Sequence, residues 1–315
     1  VEPQEGTGRG RWGTAGALVA AAMFFPVLDW PLLLVVALSA LLAVLPPRRT
    51  VPAVLGAAGL ALALAGLTAA GAGATPIAAW IVASVACFTL ATLVRPGWAF
   101  LPRALSALGG AGVGVGAWLA STGAWSTLDA AVREQARKST EQVVAQLTVQ
   151  APAGAPWVEV FERTAKAAGE AWWTAFPAFA ALQTIAVLAL AWWIFARFAP
   201  HGGAWEQLRP LREFRFSDHM VWIVIAGLLL VVLPVGAEGA RVGANALVFM
   251  GALYALRGIG VFLHATRVSP GLTALVLGIA ALSPLMQFIL VAALMVGLGD
   301  TWLDLRRRGA QVSRA

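Results

Sequence analysis

Long apolar runs, separated by short segments rich in proline, glycine and arginine, occupy most of this 315-residue chain. In lipid no water is available to bond a free N–H or C=O, so each run must satisfy its backbone internally, and the solution for a single run is a helix. Composition supports that solvent: 60% of residues are hydrophobic and 12% are charged, against about 25% charged in soluble domains. The expected fold is therefore all-α, a polytopic transmembrane helical bundle of about six full spans. Short proline-broken apolar hairpins are expected near both ends, with one extramembrane helical hairpin.

The net charge of +7 does not indicate nucleic acid, because the basic residues are spread through loops between apolar runs instead of forming one face. The positive-inside rule accounts for them. Cys87 is the single cysteine, so no intrachain disulfide or cysteine metal cluster is available, and its ordinary role is that of a small buried residue. No cofactor is implied.

In chain order, residues 1–13 form a polar cytoplasmic tail. Gly8, Gly10 and Gly13 match G-x-G-x-x-G, but without the flanking strand and helix of a dinucleotide site. Residues 14–120 form an N-terminal transmembrane region. Its first run, Ala15 to Leu45, is too long for one crossing and is broken by Pro26, Asp29 and Pro31. Ala20 and Ala22 fit a signal-cleavage pattern, which carries little weight in so alanine-rich a chain. Spans follow at about Pro52 to Ala72, Pro76 to Leu93 and Ala104 to Ala120. The last holds Gly110-x-x-x-Gly114 and Gly112-x-x-x-Gly116, spacings that allow another helix to approach closely, within the bundle or across a dimer.

Residues 121–174 are polar and amphipathic. Trp125, Leu128, Val132, Ala136, Val143 and Leu147 recur at helical spacing, and after Pro152 and Pro156 so do Trp157, Phe161, Thr164, Ala168 and Trp172. An extracytoplasmic helical hairpin is expected here. Residues 175–305 form the C-terminal transmembrane region, with a basic cytoplasmic connection at 197–219. There Trp205, Leu208, Leu211, Phe214 and Phe216 alternate with arginines, as in a segment lying on an anionic membrane surface or against a partner. A basic cytoplasmic tail, 306–315, closes the chain. Arginine placement puts both termini in the cytoplasm of a bacterial inner membrane, and Trp12, Trp30, Trp80, Trp98, Trp118, Trp125, Trp222 and Trp302 fall near span ends.

Chemistry-bearing residues concentrate in the last third. Arg257 lies inside an apolar helix, where an arginine costs about 2.5 to 3.5 kcal/mol even on the lenient insertion scale. It must face the bundle interior, a wet cavity or a carboxylate. Tyr254 and His264 share its face, as do Met250 and Gly260, and Asn245 points about a third of a turn away. Two readings stand: these residues bind a small polar or anionic ligand, or Arg257 snorkels to the interface. Asp300 and Asp304 are spaced to hold a divalent cation, as in the closing D-x-x-x-D of membrane phosphoalcohol transferases. However, Val296 stands where that signature has glycine, and its upstream D-G and A-R pairs are missing. The simpler reading is a structural charge clamp of Asp300 and Asp304 with Arg308, Asp304 and Arg308 being in the favourable i, i+4 order. The histidines offer no ligand spacing, so no metal site is expected.

Asn245, the L-Y-A-L-R-G-I-G run from Leu253 to Gly260, and G-L-G-D-T-W-L-D-L-R-R-R from Gly297 to Arg308 resemble the YybS-like family of bacterial multipass membrane proteins, a domain of unknown function. The lead-in from Leu211 to Trp222 fits less sharply. The resemblance implies a cytoplasmic-membrane helical protein with no assigned reaction, distantly similar to substrate-capturing subunits of vitamin transporters. Two functions remain: a small-molecule-binding or transport-related membrane subunit, motivated by Arg257 and the broken hairpins, or a non-catalytic scaffold docking a membrane-protein partner through its hairpin and basic connection. An intramembrane transferase using Asp300 and Asp304 is a third. The expected partners are the lipid bilayer and either that ligand or that protein.

Overall fold

The computed structural model describes residues 18–23, 27–45, 75–150, 157–198, 208–266 and 285–304, together with positions 16, 56 and 59. The tail 1–13, the span at 52–72, the turn at 151–156, the reversal at Pro284 and the Arg306 to Arg308 cluster lie outside them. The described residues are overwhelmingly helical: α1 (Trp30–Val44), α2 (Thr75–Val94), α3 (Phe100–Thr122), α4 (Trp125–Gln150), α5 (Trp157–Thr174), α6 (Phe176–Phe198), α7 (Val221–Val232), α8 (Gly236–Thr266) and α9 (Leu285–Leu303). Four helices, α2, α3, α6 and α8, are long and apolar enough to cross a membrane, and α1, α7 and α9 are shorter apolar helices. The chain is an all-α polytopic membrane bundle.

Two cores hold it together. The larger packs α1, α2, α3 and α6 around Leu33, Leu41, Phe88, Ala104, Leu188 and the fully buried Trp192. The smaller gathers Met250, Leu253 and Tyr254 of α8 with Leu294 and Leu298 of α9 and Phe214, Phe216 and Met220 of the connection. Helix α8 also contacts α6, which joins the two groups. The connection's phenylalanines therefore fold inward instead of facing lipid headgroups.

Glycine sets how closely α8 approaches its neighbours. A Cβ built on Gly258 would lie 1.8 Å from the Ala293 carbonyl oxygen, and one on Gly297 would lie 1.9 Å from the Tyr254 carbonyl oxygen. The α8 and α9 backbones thus touch directly, the small-residue contact expected where lipid supplies no hydrophobic drive for association. Gly227 and Gly243 play the same part between α7 and α8. In α3 the outcome differs. Gly110 meets Cys87 of α2, whereas a Cβ on Gly112, Gly114 or Gly116 would meet nothing within 4 Å.

Breaks in the helices are closed by side chains. Between residues 18–23 and α1 the chain turns at Val27 to Asp29, where Asp29 caps α1 by accepting from the Leu32 N–H at 3.1 Å. The buried Gln183 of α6 completes the repair. Its Oε1 accepts from the Val27 and Leu28 amides, and its Nε2 donates to the Ala22 and Leu28 carbonyls. Arg103, near the start of α3, is fully buried. It donates to the Pro96 carbonyl at 2.7 Å and to that of Trp98, with its guanidinium 4.7 Å from the Trp192 ring.

The amphipathic pair forms a packed hairpin, with Gly169 of α5 against Thr140 of α4 and Arg133 3.7 Å from Glu170. Val132 and Ala136 are buried, but farther along α4 the expected stripe member Val143 is exposed and its neighbour Val144 is partly covered. On the outer face Arg137 bonds both Glu134 and Glu141, which holds the Glu134 carboxyl down at about 2. Such an exposed pair contributes little to stability.

The glycine contacts yield a comparison. Gly258→Ala should lower stability by about 1 to 3 kcal/mol or more, since backbone must move, whereas Gly114→Ala should be neutral or stabilising by up to about 1 kcal/mol through helix propensity. Thermal unfolding of both purified variants checks this, and equal melting temperatures would contradict it.

Candidate functional site

Two places on the structure bring polar residues together inside apolar surroundings. The first is built around Arg257, whose side chain is 3% exposed. Its Nε donates to Asp300 Oδ2 at 3.0 Å, one terminal nitrogen to Asp218 Oδ1 at 2.7 Å, and the other to the Asp300 backbone carbonyl at 3.2 Å. The Phe216 ring lies 5.5 Å from the guanidinium and stacks edge-on against Tyr254. Both carboxylates thus bond Arg257 directly. An anionic ligand would have to displace a carboxylate already bonded there.

The Gly258 and Gly297 contact makes this geometry possible, because it brings Asp300 within reach of a residue beside the crossing. Asp300 is 0% exposed and Asp218 is 60% exposed at the side chain, so one carboxylate neutralises the arginine inside the bundle and the other ties it to the polar edge. Asp304 sits beyond the end of α9 with a φ of 42°, a left-handed conformation that aspartate tolerates better than most residues. Its carboxylate pairs with Arg215 of the connection. Asp300 and Asp304 are thus each bonded to a different arginine, and Arg308, the expected clamp partner, lies outside the described residues. The hydroxyls of Tyr254 and Thr301 are buried beside each other. His264 is exposed and stands apart from this cluster.

Asn245 belongs to the second place. Pro177 lacks an N–H and interrupts the helix between α5 and α6, leaving the Trp173 and Thr174 carbonyls and the Ala178 amide without their helical partners. Asn245 Nδ2 donates to the Thr174 carbonyl at 2.8 Å while its Oδ1 accepts from the Ala178 amide at 2.9 Å. One turn earlier on α8, Arg241 donates to the Trp173 and Thr174 carbonyls, stands 4.4 Å from the Trp173 ring and pairs with Asp129 of α4 at 2.6 Å.

Beside this repaired break is a cavity of 290 Å³ between the base of the hairpin and the spans. Ile77 and Trp80 of α2, Gly112, Val115 and Gly116 of α3, Leu128 and Val132 of α4, and Phe176 and Ala180 of α6 form its apolar walls; Asp129 and Arg241 form its polar end. Among the described residues nothing comes within 4 Å of a Cβ built on Gly112 or Gly116, which leaves the space open on that side. Trp80, whose indole N–H donates to Thr184 at 3.0 Å, is fixed in place as one wall.

Sequence reasoning identified Arg257, Asp300 and Asp304 and placed Arg215 in the basic connection, but it assigned no role to Asp218 and did not anticipate the Arg215 to Asp304 pair or the cavity. The available signal was charge: a buried arginine needs a carboxylate, and Asp218 and Asp300 lie at the ends of apolar runs that can reach it. Nothing in the sequence relates Asp129 to Arg241, which are 112 positions apart.

A family model described as a predicted membrane protein (DUF2232) matches residues 15–301. No curated protein and no solved structure matches the chain.

The ion pair sets up a mutant cycle. Arg257→Met alone strands the buried Asp300 carboxylate and should cost about 3 to 5 kcal/mol, Asp300→Leu should cost less because Asp218 still pairs with Arg257, and the double substitution should recover much of the Arg257→Met loss. Unfolding in detergent measures it, and additive losses would mean that the two residues do not stabilise each other.

Proposed function

We propose that this chain, which belongs to the DUF2232 family of predicted membrane proteins, is a small-molecule-binding, transport-related membrane subunit whose site is the cavity beneath its hairpin. The observation that carries this reading is the 290 Å³ cavity itself, lined by elements from both the spans and the hairpin and bounded at one end by an ion pair. Ligand pockets are mostly apolar hollows with a few fixed polar groups, starting at about 300 Å³. The likeness to the YybS-like family, and through it to substrate-capturing transporter subunits, points the same way. Arg257 is then a structural latch between α8, α9 and the connection. It is not a ligand contact, because its donors are engaged by Asp218 and Asp300.

A docking role has its own supporting observation. At the far end of the hairpin, Val149 is 86% exposed and Val160 is 62% exposed, with Trp157 and Val143 exposed beside them. An apolar tip of this kind suits a protein partner. Val149→Ser/Trp157→Ser/Val160→Ser leaves the cavity untouched and, on the docking reading, abolishes a co-purifying membrane protein. Retention of every partner would remove that reading.

The cavity reading is tested by filling the space. Gly116→Leu places a side chain where a Cβ meets nothing within 4 Å, so the variant should fold with an unchanged or higher melting temperature. It should also lose the small molecules that wild-type protein carries in native mass spectrometry. Equal ligand content in both proteins would overturn the assignment.

A further inference from the structure

The chemical class of ligand follows from the two ends of this cavity, and the inference rests on the ligand-binding reading above. We propose that the cavity takes an uncharged amphiphile: a linear apolar body of about ten to twelve carbons carrying one hydroxyl-type head that sits between Asp129 and Arg241.

Size comes first. A cavity of about 150 Å³ holds benzene, so 290 Å³ takes an apolar body roughly twice that size. The walls bring no formal charge. Leu128, Val132, Ile77 and Phe176 offer hydrocarbon, and the bare backbone faces at Gly112 and Gly116 widen the space at the α3 side. Burying an apolar chain there gains about 25 cal/mol per Å² removed from water, but a ligand drawn from the bilayer leaves hydrocarbon for hydrocarbon. Selection must then come from the polar end.

That end is charge-balanced. Arg241 is 15% exposed and Asp129 29% exposed, and they pair at 2.6 Å. Nearby, Arg133 pairs with Glu170 at 3.7 Å, and both Arg133 and Arg241 lie over the Trp173 ring. A carboxylate or phosphate head would compete with Asp129 for Arg241, and an ammonium head would compete with Arg241 for Asp129. Either would strand one partly buried charge, which is costly. A hydroxyl strands neither, because its oxygen can accept from the guanidinium while its proton is donated to the carboxylate. Arg241 is held in place by the Trp173 and Thr174 carbonyls, so the head meets a fixed donor.

The test uses full-length protein in lipid nanodiscs and three photoreactive diazirine probes of equal chain length: a decanol, a decanoate and a decylammonium. Decanol should label peptides containing Trp80, Gly116 or Leu128 at least about fivefold more than either charged probe, the scale of one misplaced partly buried charge. Gly116→Leu and Gly112→Leu should each abolish that labelling while melting like wild type. Asp129→Asn keeps a hydrogen-bonding partner for Arg241 but leaves the end cationic, so it should move the preference to decanoate. Preferential labelling of the same peptides by decanoate or decylammonium in the wild-type protein would overturn the head-group assignment and leave the ligand-binding reading standing. An Asp129→Asn variant that keeps the wild-type order of probes would do the same. No labelling of these peptides by any probe, together with identical small-molecule content in wild type and Gly116→Leu, would overturn both.

Discussion

A backbone amide or carbonyl left unbonded in lipid costs several kcal/mol, and this constraint accounts for the long-range polar contacts in the spans. Three of the breaks among the described residues are met by a side chain. Gln183 of α6 closes the turn before α1 with four hydrogen bonds. Asn245 and Arg241 of α8 replace the bonds that Pro177 removes between α5 and α6. Arg103 folds back onto the carbonyls of the loop before α3. These contacts also fix which helices are neighbours, because a side chain can repair a break only from close by.

The same demand for satisfaction governs charge. Arg257 stays inside the bundle because Asp300 and Asp218 complete its guanidinium, and the glycine crossing of α8 and α9 brings Asp300 there. Polar residues in a span are commonly taken as ligand contacts, yet here the arginine is already balanced. Asn245 shows the same thing: its amide is occupied on both sides by backbone. The candidate ligand site lies instead where the hairpin meets the spans, and it is lined mainly by residues that look unremarkable in sequence. Glycines that pack against nothing among the described residues are part of its wall, the reverse of the usual meaning of a G-x-x-x-G spacing.

The family match extends from residue 15 to residue 301, so the hairpin and cavity lie inside the matched region. The amphipathic hairpin shapes that cavity directly, since Leu128, Asp129 and Val132 of α4 form one side of it.

The sequence alone determined the solvent and the class of structure. Runs such as Phe176–Phe198 can only be helices in lipid, and the alternation of polar and apolar residues after Ser121 marked two helices with a wet face. Arg257 was legible as a buried charge in need of a carboxylate, because burial of an arginine is expensive wherever it occurs. Which carboxylate answered it was decided by tertiary structure: Asp300 and Asp218 are 43 and 39 positions away, the first brought close by the Gly258 and Gly297 contact and the second by the packing of Phe216 and Met220 against α8. The pairing of Asp129 with Arg241, the repair of the Pro177 break and the space at Gly116 were likewise beyond reach. Local pattern reports how a segment meets its solvent, whereas a cavity depends on which surfaces fail to meet each other.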